Sequence, residues 1–340
     1  MSLQTHMNKK RFDNLSIYRF IATICVLQFH IFFILYARDI PYETLLSKGV
    51  QGLTALSGFL YSQKLIKDLK GFYLGNLKKI VIPAVVCFLF MALWNLIAMF
   101  IIKDYNYIGL FFGHRAFNNS LLFQPANYYY LAYILIAYLI TPVLQRMDKY
   151  AYSTAILAII LEIVIGFFFG PSIILSAYIV GYLIGKKAFA KYVDIETPYS
   201  VPRLLFWIFV TALTVGLYIV MVEFPMGEGY FRVHLSSATK NILQSSFGVA
   251  TFFLAAYIFR WVNRYKSWSF LSYFDKLTLI IYLMNQAFMV GAMNVTLWVS
   301  DMWLKITLVY IFTIGSSVLL KLANDGVNKL FTRPNKVQEA

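Results

Sequence analysis

Apolar residues run through this chain in stretches of about 20, separated by short polar segments, and the pattern recurs from one end to the other. A helix of that length spans roughly 30 Å, the thickness of a bilayer's hydrocarbon core. The stretches are too long and too continuous for barrel strands, which alternate polar and apolar positions over about ten residues. Lipid offers no partner to a backbone N–H or C=O, so helices are the form these stretches must take. Spans are expected near residues 16–37, 46–66, 80–102, 128–144, 152–169, 172–185, 204–224, 242–259, 277–299 and 304–322. The fold class that follows is an all-α integral membrane protein, a bundle of about ten transmembrane helices. Residues 1–323 form one transmembrane domain, and 324–340 are expected to be a short, polar, disordered tail.

Composition agrees with this reading: of 340 residues 60% are hydrophobic and 13% charged, with a mean hydropathy of +0.67. Water is not the main solvent for such a chain. The cluster Lys9, Lys10, Arg11 leads into the first span with no small-residue cleavage pattern after it, so that span is expected to be retained.

The formal net charge of +15 raises the question of nucleic acid. The positive charges sit in short segments between apolar spans and do not form one continuous basic face, which excludes that class. They also orient the chain. With both termini cytoplasmic, the inner segments hold most of the 30 basic residues. The outer side keeps Arg38, Lys48, Lys103, Arg115, Arg232, Lys240 and Lys305, and only Arg19 falls within a span. That asymmetry follows the positive-inside rule. Cys25 and Cys87 lie in apolar spans, where packing is the expected role. Of the outer segments, residues 104–126 read as an interfacial stretch and 225–234, with Gly227 and Gly229, as a turn. The absence of an internal repeat counts against inverted-repeat transporters.

Ionisable groups inside spans are costly and mark candidate sites. Arg19 and His30 stand eleven residues apart in the first span. On a helix that spacing puts the two side chains within about 20° of one another and about 16 Å apart along the axis. An arginine fork suits phosphate and a neutral imidazole can accept a proton, so the pair fits a long ligand with an anionic head and a reactive end. Acetyl-coenzyme A has that shape. The alternative is that Arg19 snorkels to lipid headgroups and His30 bonds a neighbouring helix.

Several motifs then fall into an order. NLSIYRFIATICVLQFH at 14–30 holds an arginine, ten residues and a histidine. SGFL at 57–60 closes the second span, and NLKKIVIP at 76–83 opens the third. NYYYLAYILIAYLITPVL covers 127–144, and IIYLMN covers 280–285. This set resembles the membrane-bound acyltransferase-3 family, most closely over about the first 145 residues. Ser16 stands where many members carry an acidic residue, and Asn76, Asn127 and Asn285 also depart from the usual pattern.

The resemblance implies an enzyme that moves an acyl group, usually acetyl, from cytoplasmic acetyl-CoA to a hydroxyl of a surface polysaccharide or lipid-linked sugar, in a bacterial plasma membrane. On it His30 is the expected base; Glu162, the acidic residue deep in the fifth span, is placed by its position to assist the histidine or to face a water-filled passage. Arg19, Lys78 and Lys79 are expected to hold the coenzyme's phosphates, and Ser57 to donate to the reacting carbonyl. No metal is expected. Each of these residues has a plainer reading: ordinary inner lysines for Lys78 and Lys79, a backbone-bonded hydroxyl for Ser57 beside a close approach at Gly58, and helix packing for Glu162. His114, Arg115, Arg232 and His234 could meet an acceptor glycan from the outer side. Two rivals remain: a flippase for lipid-linked sugars, and a non-catalytic partner in polysaccharide assembly.

Overall fold

A computed structural model of the chain describes residues 12–35, 43–102, 129–147, 150–169, 175–223, 230–265, 268–289 and 294–331. Ten α-helices occur among them, with no strand. In chain order these are α1 (Asp13–Leu35), α2 (Gly49–Tyr61), α3 (Leu69–Ile102), α4 (Tyr129–Arg146), α5 (Ala151–Phe169), α6 (Leu175–Val193), α7 (Val201–Glu223), α8 (Tyr230–Ile258), α9 (Ser269–Met284) and α10 (Met302–Phe331). Among the described residues five helical stretches are long and apolar enough to cross a membrane: Asp13–Leu35, Leu69–Leu93, Val201–Met221, Ile242–Arg264 and Met302–Lys329. The chain divides into two compact units, Met1–Leu69 with Tyr133–Asp275, and Lys70–Ala132 with Lys276–Ala340.

The first unit is organised around α2. Thirteen residues reach only about 20 Å, too short to cross a bilayer alone. The helix does not need to, because other helices enclose it, and ten of its residues are buried. Its closest partner is α6. A Cβ added at Gly58 would press into the Tyr178 carbonyl, and one added at Gly181 into the Ala55 carbonyl; at Gly185 it would lie 2.7 Å from the Phe59 carbonyl oxygen. Gly181 and Gly185, four apart on one face of α6, let the two backbones meet. Such contact matters because lipid tails are as apolar as the side chains, so close packing replaces the hydrophobic effect as the cohesive term. Above this seam Phe59 stacks on Phe189 at 4.6 Å and meets Tyr192, Phe252 and Phe253 edge-on. Trp207 of α7 lies parallel to Phe253 and donates its indole N–H to the Tyr192 hydroxyl at 2.8 Å.

In the second unit, the residues after α9 turn back over α10, with Phe288 and Trp298 both against Phe312. Tyr130 packs on Tyr282. Pro83 lies inside α3, and Asn76 is buried on the same helix.

Several boundaries differ from the expected ones. The second span is a 3-10 turn (Glu43–Lys48), then α2, with irregular chain from Lys64 to Asp68. α3 starts at Leu69, well before residue 80, so Lys70, Lys78 and Lys79 are helical. α6 runs beyond residue 185 through a kink at Ala188 to Val193. α8 starts at Tyr230, so residues 230–234 are helix where a turn was expected. The ninth apolar run is not one helix: α9 ends at Met284 and gives way to turns over 285–289 and a 3-10 segment at Val295–Leu297. Among the described residues, local bonds run from Ala287 N–H to Met284 C=O, Met289 N–H to Gln286 C=O and Val295 N–H to Phe288 C=O. Met284, Asn285, Phe288 and Met289 are buried, as non-helical backbone in an apolar setting must be. α10 continues to Phe331, so residues 324–331, expected as disordered tail, are helical. The interfacial stretch 104–126 lies outside the described residues.

Candidate active site

α1 opens with a run of polar side chains that bind other helices. Asn14 is fully buried, and its Nδ2 donates to the Tyr192 carbonyl at 2.8 Å and to the Ala256 carbonyl at 2.7 Å. Asn263 answers it in both directions: its Oδ1 accepts from the Asn14 N–H, and its Nδ2 donates to Asn14 Oδ1 and to the Val193 carbonyl. Arg260, also buried, donates to the Lys191 and Thr197 carbonyls and lies over the rings of Tyr199 and Tyr257. These carbonyls belong to the last turns of α6 and α8 and the chain just after α6. The guanidinium also complements the negative end of α6.

The same contacts gather the start of α1 and the ends of α6 and α8 at one end of the first unit. Replacing Asn14 with alanine is expected to lower stability by about 3 kcal/mol, since buried acceptors would lose their donor. Thermal unfolding of the full chain in detergent measures it.

On the next turns of α1, Ser16 Oγ donates to Asp275 Oδ2 at 2.6 Å, and Arg19 Nη1 pairs with Asp275 Oδ1 at 3.0 Å. Asp275 stands on α9 and belongs to the first unit. Phe20 seats the two helices together through edge contacts with Phe270 and Phe274, and Asp13 accepts from the Trp268 N–H. The Arg19 side chain keeps 25% of its surface exposed. A guanidinium carries five N–H donors, more than one carboxylate oxygen accepts.

His30 lies on the same helix, buried, with its ring edge-on to Phe29. The structure therefore keeps Arg19 and His30 on one continuous helix. Ser57, half-buried on α2, donates its hydroxyl to the Leu53 carbonyl of its own helix at 3.0 Å. Glu162 of α5 is buried, and its two carboxylate oxygens accept the N–H groups of Leu175 and Ser176. This is a cap on α6 supplied by a neighbouring helix, with negative charge at the positive end of the helix dipole. Glu162→Gln is expected to cost about 1 kcal/mol in the melting of the purified protein and to leave turnover within about twofold.

Lys78 and Lys79 are exposed on α3, in the second unit. His114 and Arg115 lie outside the described residues, as do the side chains of Arg232 and His234 on α8. An apolar cavity of about 230 Å³ between α5, α6, α7 and α8 is lined by Ile159, Ile163, Trp207 and Val249 among others, and by none of the expected site residues. No group of three or more His, Cys, Asp or Glu able to hold a metal occurs among the described residues.

Asp275, Asn14, Asn263 and Arg260 escaped the reading of the sequence. The acidic residues number only 15, and Asp275 sits at the edge of an apolar run, which is the one signal that could have drawn attention to it.

No curated protein and no solved structure matches the chain. A family model described as an acyltransferase domain does, over residues 12–322, from before Arg19 almost to the end of the apolar region. The match covers nearly the whole chain, including α1 with its arginine and histidine, and the chain thus belongs to the acyltransferase-3 family.

Proposed function

We propose that this protein is a membrane-spanning O-acyltransferase that moves an acetyl group from acetyl-CoA to a hydroxyl of a surface polysaccharide or lipid-linked sugar in the cell membrane. The observation that carries the reading is α1 itself: a buried histidine and an anchored, partly exposed arginine eleven residues apart on one helix, inside the family match. Residence in a bilayer is supported by the five long apolar helices and by the large side chains they expose, among them Leu89, Leu93 and Phe100 of α3, Phe209 of α7 and Leu319 of α10.

In this reading the acceptor hydroxyl attacks the thioester carbonyl while His30 takes its proton. A C–O bond forms, the C–S bond breaks, and the coenzyme thiolate leaves with the proton that the imidazolium returns. Transfer through an acetylated His30 is the covalent variant of the same chemistry. The partly exposed Arg19 fork binds the coenzyme's phosphates. Ser57 can donate to the reacting carbonyl only by releasing the Leu53 carbonyl, and Glu162 caps α6.

One observation favours a second reading, a flippase for lipid-linked sugars. The apolar run after Ser269 breaks at Asn285, and interrupted helices are the usual carriers of transport sites. The test is transfer of label from acetyl-CoA to a candidate glycan by the purified chain in lipid. Label in the glycan supports the transferase; movement of a lipid-linked sugar between leaflets without acetylation supports the flippase and overturns the proposal.

A further inference from the structure

The α1 to α9 seam carries an arrangement that the family reading does not contain. Asp13, Ser16, Arg19 and Phe20 recur at helical spacing along one side of α1, and each contacts the segment Trp268 to Asp275. At the centre is one carboxylate with two partners from α1: the Ser16 hydroxyl on Oδ2 and the Arg19 guanidinium on Oδ1. Ser16 is three residues before Arg19, so both side chains leave the helix on the same side, a turn apart. We infer that Asp275 is the positioning residue of Arg19, a carboxylate supplied from α9, and that it fixes the guanidinium with its outer edge turned to an anionic ligand.

Three features support this role over a simple cross-link. First, the ion pair brings Arg19 Nη1 to 3.0 Å from the carboxylate while a quarter of the arginine side chain's surface stays exposed, so the anchored fork is still open to a further anion. Second, the hydroxyl of Ser16 holds the second oxygen of the carboxylate, so the carboxylate cannot rotate freely to chelate the arginine. Third, the two aromatic contacts of Phe20 hold α9 in register with α1 on the turn that bears Arg19. A long side chain bearing a permanent charge loses much rotamer freedom when it binds an anion, and an anchor that has already restricted it lowers that cost. Asp275 therefore acts through Arg19 and touches no reacting atom.

This inference rests on the acyltransferase reading and concerns how that site takes its donor. The test uses the full chain in lipid vesicles with labelled acetyl-CoA, measuring KM for the donor and kcat separately. Asp275→Asn keeps the shape and removes the charge. It is expected to raise the donor KM about tenfold while kcat stays within about twofold, because binding and not chemistry has lost its orientation.

The exchange variant Ser16→Asp with Asp275→Ser moves the carboxylate one turn before Arg19 and should return the donor KM to within about threefold of the original. An unchanged KM in Asp275→Asn with only a lower melting temperature would reduce the contact to a structural one and overturn the inference. So would a lower KM, which would make the carboxylate a competitor of the donor. Failure of the unmodified chain to transfer label from any acyl-CoA would instead overturn the acyltransferase reading, and this inference with it.

Discussion

His30→Ala is expected to lower acyl transfer by about a hundredfold or more while the protein still assembles, because a positioned base contributes on the order of 10² to 10⁴ to such a step. The histidine is buried on α1, and its ring meets Phe29 edge-on. Truncation removes a contact as well as a base, so the melting temperature must be measured alongside turnover. His30→Gln separates the two effects, since glutamine retains bulk and hydrogen bonding but cannot accept and return a proton at neutral pH. Both variants should be inactive, and the glutamine variant should melt close to the original protein. Transfer at the original rate in either one would remove His30 from the chemistry and leave the α1 pair without its reactive member.

Gly58→Leu should be the most destructive single change in the first unit. A Cβ at this position would press into the Tyr178 carbonyl and lie 2.9 Å from the backbone nitrogen of Tyr182 on α6. Backbone cannot rotate aside as a side chain can, so α2 and α6 would have to separate along their length. The Phe59 to Phe189 stack and the carbonyl contacts at Gly181 and Gly185 depend on that separation. A loss of about 3 kcal/mol or more is expected, enough to prevent recovery of folded protein from membranes. Gly216→Ala on α7 is the matched control. Nothing lies within 4 Å of the added carbon there, so the change should be neutral or stabilising by up to about 1 kcal/mol. Equal yields and melting temperatures for the two variants would show that the α2 to α6 contact is not the cohesive seam of this unit.

How much of this was legible beforehand differs from residue to residue. The apolar runs that became α1, α4, α5 and α7 were read to within a few residues, since nothing in them competes with a helix that covers its own backbone. The run after Ser269 was read as one span because hydropathy is blind to a break whose backbone bonds are closed by turns and covered by protein. α2 looked like a full span for the same reason: its flanks are apolar, and only its enclosure by other helices allows it to stop after 13 residues. The Arg19 and His30 pair was visible because both residues lie on one helix of known pitch, and the distance between them depends on nothing else. Glu162 was visible as an unusual residue, but its work on the first amides of α6 was not.

By itself the sequence determined the helical class, most of the helix positions and the place of Arg19 and His30 on one helix, because these follow from local pattern and from the demand of an apolar medium on each backbone group. Only the tertiary structure decided which partners the buried polar groups take. Asp275 lies far along the chain from Arg19, as Asn263 does from Asn14, and such pairings arise from helix packing that no local periodicity encodes.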